Sequence, residues 1–136
     1  MNEREVEAEL LALALPGAEY VVVGGAVLAL LGIRDTEDID LVVSERLFAD
    51  LQDRGWRVKT RPNGKPGLKH GRTEAYLDVN CESFERSSSW LFENAQEVRS
   101  GFPVVDLETL AQFKAGYGRP KDLQDLVLIR RHLSSS

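Results

Sequence analysis

A chain of 136 residues with 43 % hydrophobic and 29 % charged residues and five prolines has the size and composition of one globular domain, which excludes a disordered or collagen-like polymer. The lone Cys81 excludes an internal disulfide and, with two histidines, cannot complete a zinc site, so any bound metal must be held by oxygen. A net charge of −5, from 22 acids against 17 bases, excludes bulk electrostatic coating of nucleic acid, although residues 57–73 gather Arg57, Lys59, Arg61, Lys65, Lys69 and Arg72 without one acid. No apolar run approaches the roughly 20 residues that span a bilayer, and the N-terminal residues are acidic where a signal peptide is basic. The expectation is a single cytoplasmic domain over residues 1–136, with no membrane association.

Val6, Leu10, Leu13 and Ala14 recur at helical spacing behind Asn2, and Pro16-Gly17 stops the pattern, so residues 3–15 read as an amphipathic helix. The run Tyr20-Val21-Val22-Val23 reads as a buried strand that breaks at Gly24-Gly25 into a helix over 26–31. Residues 38–43 alternate acid with apolar, the period of a strand covered on one face, and Ser44 caps a helix over 45–54. Residues 56–61 read as a third strand, 62–67 as a loop or hairpin tip, and 75–80 as a further strand. A weak helix follows near residues 90–98. Asp106 caps a helix over 107–115, and a last helix runs from Pro120 to His132 with Leu123, Leu126 and Val127 inward, before three terminal serines that fray. Interleaved strands and helices without repeat or linker indicate an α+β (α/β) domain, with residues 107–133 as its C-terminal helical part.

Successive strand side chains alternate faces, so Asp38 and Asp40 project together while Ile39, Leu41 and Val43 pack behind them. Asp78 lies on the later expected strand, on the same face as Tyr76 and Asn80. If the two strands are neighbours, three carboxylates converge, and a hard divalent ion such as Mg²⁺ is the usual counter-charge. Gly24-Gly25 sits between a strand and a helix, where backbone N–H groups favour an anion and glycine lets a phosphate approach; a tight turn needing positive φ is the other reading. The chain has neither the G-x-G-x-x-G fingerprint nor a P-loop ending.

Gly24-Gly25, twelve residues, then Asp38-Ile39-Asp40, with Asp78 beyond, resembles the polymerase-β-like nucleotidyltransferase superfamily. More narrowly, Gly24-Gly25-Ala26 followed by Gly32, Arg34, Thr36, Asp38 and Asp40 is similar to the small bacterial nucleotidyltransferase-like proteins, some of which are toxin components of toxin–antitoxin pairs. The late run Lys114, Gly118-Arg119, Lys121-Asp122 and Asp125 is also similar to their C-terminal helices. The likeness covers residues 19–44 and 105–126 well, and 45–74 and 81–101 poorly. It implies the minimal nucleotidyltransferase fold, a short mixed β-sheet flanked by helices. It also implies two Mg²⁺ ions on Asp38, Asp40 and Asp78, an NTP whose phosphates meet Gly24 and Gly25, and transfer of an NMP group to a hydroxyl acceptor with release of pyrophosphate. Asp78 would complete the nucleophile-side metal and serve as general base.

Lys114 ends an apolar stripe with Leu107, Leu110 and Ala111, so its ammonium needs an anion: either the triphosphate and active-site acids, or water reached by snorkelling. Arg34 and Thr36 either position a phosphate or order the loop before the acidic strand. The acceptor is open between an RNA end, a protein and a small molecule, with the basic segment 57–73 favouring a polyanion. Ala26 stands where many members carry a serine that contacts phosphate. The alternative is therefore a catalytically weak or inactive module that binds nucleotide or a partner protein, and a homodimer or separate partner would supply the wall that so small a domain lacks.

Overall fold

The computed structural model describes residues 1–135. Asn2 opens helix α1 (Glu3–Leu13) with a reciprocal capping box to Glu5, and Ala14 closes it in a left-handed conformation, one residue ahead of the expected end. The strand β1 (Tyr20–Val23) is buried throughout and turns at Gly24, φ 66°, into the short helix α2 (Gly25–Leu30). Next come β2 (Ile39–Val43) and the Ser44-capped helix α3 (Glu45–Asp53). The strands β3 (Arg57–Thr60), β4 (Pro66–His70) and β5 (Thr73–Tyr76) form a meander, followed by α4 (Ser88–Glu93), β6 (Gln96–Glu97) and β7 (Pro103–Val104). Helices α5 (Leu107–Tyr117) and α6 (Pro120–Ser134) end the chain.

All seven strands join one mixed sheet in the order β3-β4-β5-β2-β1-β7-β6. The α+β expectation of a mixed sheet flanked by helices, with helices at the C-terminus, is therefore met. β2 pairs antiparallel with β1 and parallel with β5, so the two expected strands bearing acids are neighbours. Leu47 and Leu51 of α3 and Leu68 of β4 are buried on one side of this half of the sheet. No helix among the described residues is long and apolar enough to cross a membrane.

Three expectations need correction. The expected strand over 75–80 runs instead from Thr73 to Tyr76, because Pro66–His70, expected in part as loop, is a strand that hairpins onto it through Gly71-Arg72. Residues 96–97, expected within a helix, form an edge strand instead. Helix α6 does not bury Leu123 and Val127, which are 52 % and 47 % exposed; its inward face is Asp122, Asp125, Leu126 and Ile129. An apolar-only reading of that helix misplaces the face, because two carboxylates occupy it as partners of a buried cation. Ser134 closes α6 and Ser135 caps it, while Ser136 lies outside the described residues.

That cation is Lys114, whose side chain is 6 % exposed and whose Nζ lies 2.8 Å from Asp125 Oδ2 and 3.4 Å from Asp122 Oδ1. Asp125 also accepts two parallel 2.7 Å bonds from the Arg34 guanidinium, a bidentate pairing across 91 positions of sequence. Burial pushes the Asp125 carboxyl up, but the hydrogen bonds from Arg34 and Lys114 outweigh it and hold the pKa below the usual carboxylate range. Asp125→Ala strands two cations, one of them buried, and is expected to cost roughly 3–5 kcal/mol in denaturant unfolding at neutral pH. Asp50→Ala, which removes the exposed pair to Arg54, is expected to cost under about 1 kcal/mol. A depressed carboxylate pKa confers stability that is lost as pH falls through the folded value, so the gap between Asp125→Ala and wild type narrows in acid. Equal costs for the two substitutions would contradict this ranking.

Candidate active site

The alternation of β2 directs Asp38, just ahead of the strand, and Asp40 to the same face, with Ile39 and Leu41 fully buried behind. The turn at Gly24 runs directly over Asp40: a Cβ there would sit 3.1 Å from Asp40 Oδ2, in a backbone conformation that side chains rarely adopt. Gly25 is as confined, since a Cβ would meet the Arg34 guanidinium at 2.7 Å and Thr36 Oγ1 at 3.0 Å. Gly24 is thus favoured by its positive φ as well as by close approach, and Gly25 by an Arg34 guanidinium that Asp125 holds in place, so the turn, Arg34, Thr36 and the Asp38-Asp40 pair form one cluster.

The third carboxylate of this cluster is Glu74. Parallel register sets Glu74 directly opposite Asp40, so their side chains share a face of the sheet. Asp78 is not brought to them: β5 ends at Tyr76, and the Asp78 carboxylate accepts from Lys65 Nζ at 3.0 Å and from the Asn80 backbone at 3.1 Å, with Arg61 at 4.0 Å. The parity read from the sequence was sound, since Glu74, Tyr76 and Asp78 alternate alike; the strand simply begins and ends earlier than its apolar pattern suggested.

Asp40 and Glu74 differ in their surroundings. Glu74 accepts from Lys59 Nζ at 2.7 Å and from the Tyr76 hydroxyl; burial pushes its carboxyl up, but these bonds outweigh it and lower the pKa. Asp40 Oδ1 is shielded from solvent and has no hydrogen-bond partner. Burial first, then the Asp38 and Glu74 charges, raise the Asp40 pKa to about 7. An orphaned buried carboxylate oxygen is costly unless a cation meets it, and its hard oxygen donors suit Mg²⁺. As the side chains stand, no group of three or more His, Cys, Asp or Glu among the described residues is gathered closely enough to hold a metal ion. Lys59 holds Glu74 in the position that a shared cation would compete for.

Asp40 opens on a cavity of about 420 Å³ between the sheet and α5. Gly24, Lys59, Arg61 and Tyr76 line one side, Phe113 and Tyr117 the other, with Arg119 at the rim. Arg61 lies over the Tyr76 ring at 4.6 Å and Arg119 over Tyr117 at 5.2 Å, so each cation is held against an aromatic face. The expected phosphate contacts fall into two groups. Gly24 and Lys114 line the cavity, the latter with its ammonium held by Asp122 and Asp125, whereas Gly25, Arg34 and Thr36 are not part of the lining: Gly25 lies against the Arg34 guanidinium and Thr36, Arg34 is committed to Asp125 and the Asp35 carbonyl, and Thr36 donates to the Asp38 carbonyl at 2.9 Å. Arg34, Thr36 and Lys114 order the site's frame; the cations facing the cavity more openly are Lys59, Arg61 and Arg119. Of these Lys59 and Arg61 belong to the basic segment visible in the sequence, but their strand register was not.

No family model and no curated protein matches this sequence.

The Asp40 environment sets a direct expectation. A raised carboxyl pKa costs folding free energy that accumulates as pH rises from about 4 to about 7 and is complete above it. Asp40→Asn is expected to raise the thermal midpoint by several degrees at pH 8, roughly 1–3 kcal/mol, and by little at pH 4. Mg²⁺ is expected to stabilise wild type and leave the variant unmoved. A variant less stable than wild type at pH 8, measured by calorimetric melting, would contradict this account.

Proposed function

We propose that the chain is a cytoplasmic, magnesium-dependent nucleotidyltransferase that moves an NMP group from an NTP to a hydroxyl acceptor. The observation that carries this reading is Asp40: its unpartnered buried oxygen lies beneath a glycine turn, beside two further carboxylates, at the inner end of a cation-lined cavity. The acceptor oxygen forms a bond to the α-phosphorus, the bond from that phosphorus to the bridging oxygen of the β-phosphate breaks, and pyrophosphate leaves with the electron pair. The hydroxyl proton passes to solvent.

Asp38, Asp40 and Glu74 are the residues that would hold Mg²⁺, Glu74 in the role the sequence assigned to Asp78. When bound, Mg²⁺ neutralises phosphate charge and lowers the pKa of the attacking hydroxyl. The chain's own side chains do the remaining work. Gly24 keeps the backbone low enough for phosphates to approach Asp40; Lys59 and Arg119, held by Glu74 and Asp122, supply positive charge at the cavity wall; and the Arg34–Asp125 pairing fixes the turn against α6.

A second reading, a weak or inactive module that binds nucleotide or a partner protein, is favoured by two points: Ala26 stands where many members of the resembled family carry a serine, and Lys59 already satisfies Glu74. The two separate in a labelling experiment with α-³²P-labelled and, in parallel, γ-³²P-labelled NTPs, Mg²⁺ and fractionated cellular RNA, protein and metabolites as acceptors. The expected result is α-label on one acceptor class with stoichiometric pyrophosphate, reduced about 100-fold or more by Asp40→Asn or Glu74→Gln and within about threefold by Asp78→Asn. Transfer of γ-label alone, or a larger loss with Asp78→Asn than with Glu74→Gln, would overturn the assignment.

A further inference from the structure

The row of side chains that holds Asp40 extends to the edge of the sheet. Register sets Arg57 opposite Lys69, Lys69 opposite Glu74 and Glu74 opposite Asp40, so one row crosses β3, β4, β5 and β2 over about 14 Å, three strand spacings. Lys59 joins Arg57 on that face by alternation, and Arg61 and Lys65 continue it past the strand ends, where Arg61 N–H donates to the Lys65 carbonyl at 2.9 Å. The five cations are under-neutralised. Lys59 and Lys69 share Glu74, Arg61 and Lys65 share Asp78, and Arg57 has no ion pair among the described residues. Over β3, β4 and β5 and the turn that joins β3 to β4, these five cations meet only Glu74 and Asp78, in a protein of net charge −5, and the side chains of Lys65 and Lys69 are 51 % and 41 % exposed.

We propose that this face binds the phosphodiester backbone of a single-stranded nucleic acid and delivers its terminal hydroxyl to Asp40 as the acceptor. The transfer step rests on the nucleotidyltransferase reading: that hydroxyl oxygen displaces pyrophosphate from the α-phosphorus, and its proton goes to solvent. The backbone contact does not depend on it. Charges spread along two adjacent strands match a repeating polyanion better than a single phosphate. The cavity between the sheet and α5, about 420 Å³, is nucleotide-sized, so a strand end rather than a duplex is the form of nucleic acid that would enter it. Tyr117 at its mouth, 37 % exposed and stacked with Arg119, offers a surface for a terminal base. The hairpin tip, Pro62-Asn63-Gly64-Lys65-Pro66, has no apolar anchor of the kind a bilayer surface requires.

The test is fluorescence anisotropy of short 5′-labelled single-stranded RNA and DNA of one sequence, across a salt series, with the full chain. Wild type is expected to bind one or both strands, and the two arms tell apart the sources of the same backbone. Arg57→Glu combined with Lys65→Glu is expected to weaken binding at least about tenfold and to flatten the log–log salt slope by about 1.4, the release from two phosphates. Arg46→Glu on α3, where the wild-type side chain is 89 % exposed, is expected to change neither. All variants should keep the wild-type thermal midpoint. Calorimetric titration of Mg²⁺ and an NTP analogue is expected to be unaltered in the double variant; absence of that binding in wild type would count against the nucleotidyltransferase reading alone. Strands that bind wild type no better than the double variant, or capture of phosphatidylserine vesicles with neither strand bound, would overturn the proposal.

Discussion

The Asp125 carboxylate, 3 % exposed, holds two cations at once, and the geometry of the candidate site depends on it. Through Lys114 it ties α6 to α5, and through Arg34 it ties both helices to the loop that precedes β2. The Arg34 guanidinium in turn fills the space beside Gly25, so a charge pair on the last helix determines where the glycine turn lies against Asp40. Each buried charge here is costly alone and tolerable only because the others are present. The C-terminal helices are therefore part of the frame that shapes the cavity.

That frame leaves one charge uncompensated. Glu74, opposite Asp40, is satisfied by Lys59 and Tyr76, and the buried acids of α6 are satisfied by Lys114, Arg34 and Arg119. Among the carboxylates of the described residues Asp40 alone keeps a shielded oxygen without a partner, under the influence of two neighbouring carboxylates. Proteins rarely bury an unpaired carboxylate without using it, and strongly perturbed carboxyls in clefts cluster at functional sites. The contrast between a satisfied Glu74 and an unsatisfied Asp40 is the electrostatic basis for reading the cavity as a cation-assisted site for phosphate chemistry.

Much of this was legible in the residues. The strand, glycine turn and helix at residues 20–30 follow from an all-apolar run broken by Gly24-Gly25, and the shared face of Asp38 and Asp40 follows from strand period alone. What was hidden lay in pairing. Nothing local tells Thr73–Tyr76 to be the strand rather than 75–80, because the deciding partners, Pro66–His70 and Ile39–Val43, are distant or dense in turn residues. Two positions of shift move Asp78 out and bring Glu74 in. Lys114 was recognisable as a cation in need of an anion, yet its partners sit on the next helix in positions where apolar residues would ordinarily be expected. Arg34 and Thr36 looked equally suited to a phosphate or to their own loop, and the structure commits their side chains to the loop and to α6.

Asp38 and Asp40 are proposed to form a metal-dependent nucleotide site beneath the glycine turn. Calorimetric titration with non-hydrolysable analogues of the four NTPs, with and without Mg²⁺, tests it without knowledge of the acceptor. Wild type is expected to bind only with Mg²⁺ present, and binding is expected to vanish when Asp38→Asn and Asp40→Asn are combined. Binding that survives in the double variant, or its absence in wild type for every analogue with Mg²⁺ present, would contradict the proposed site.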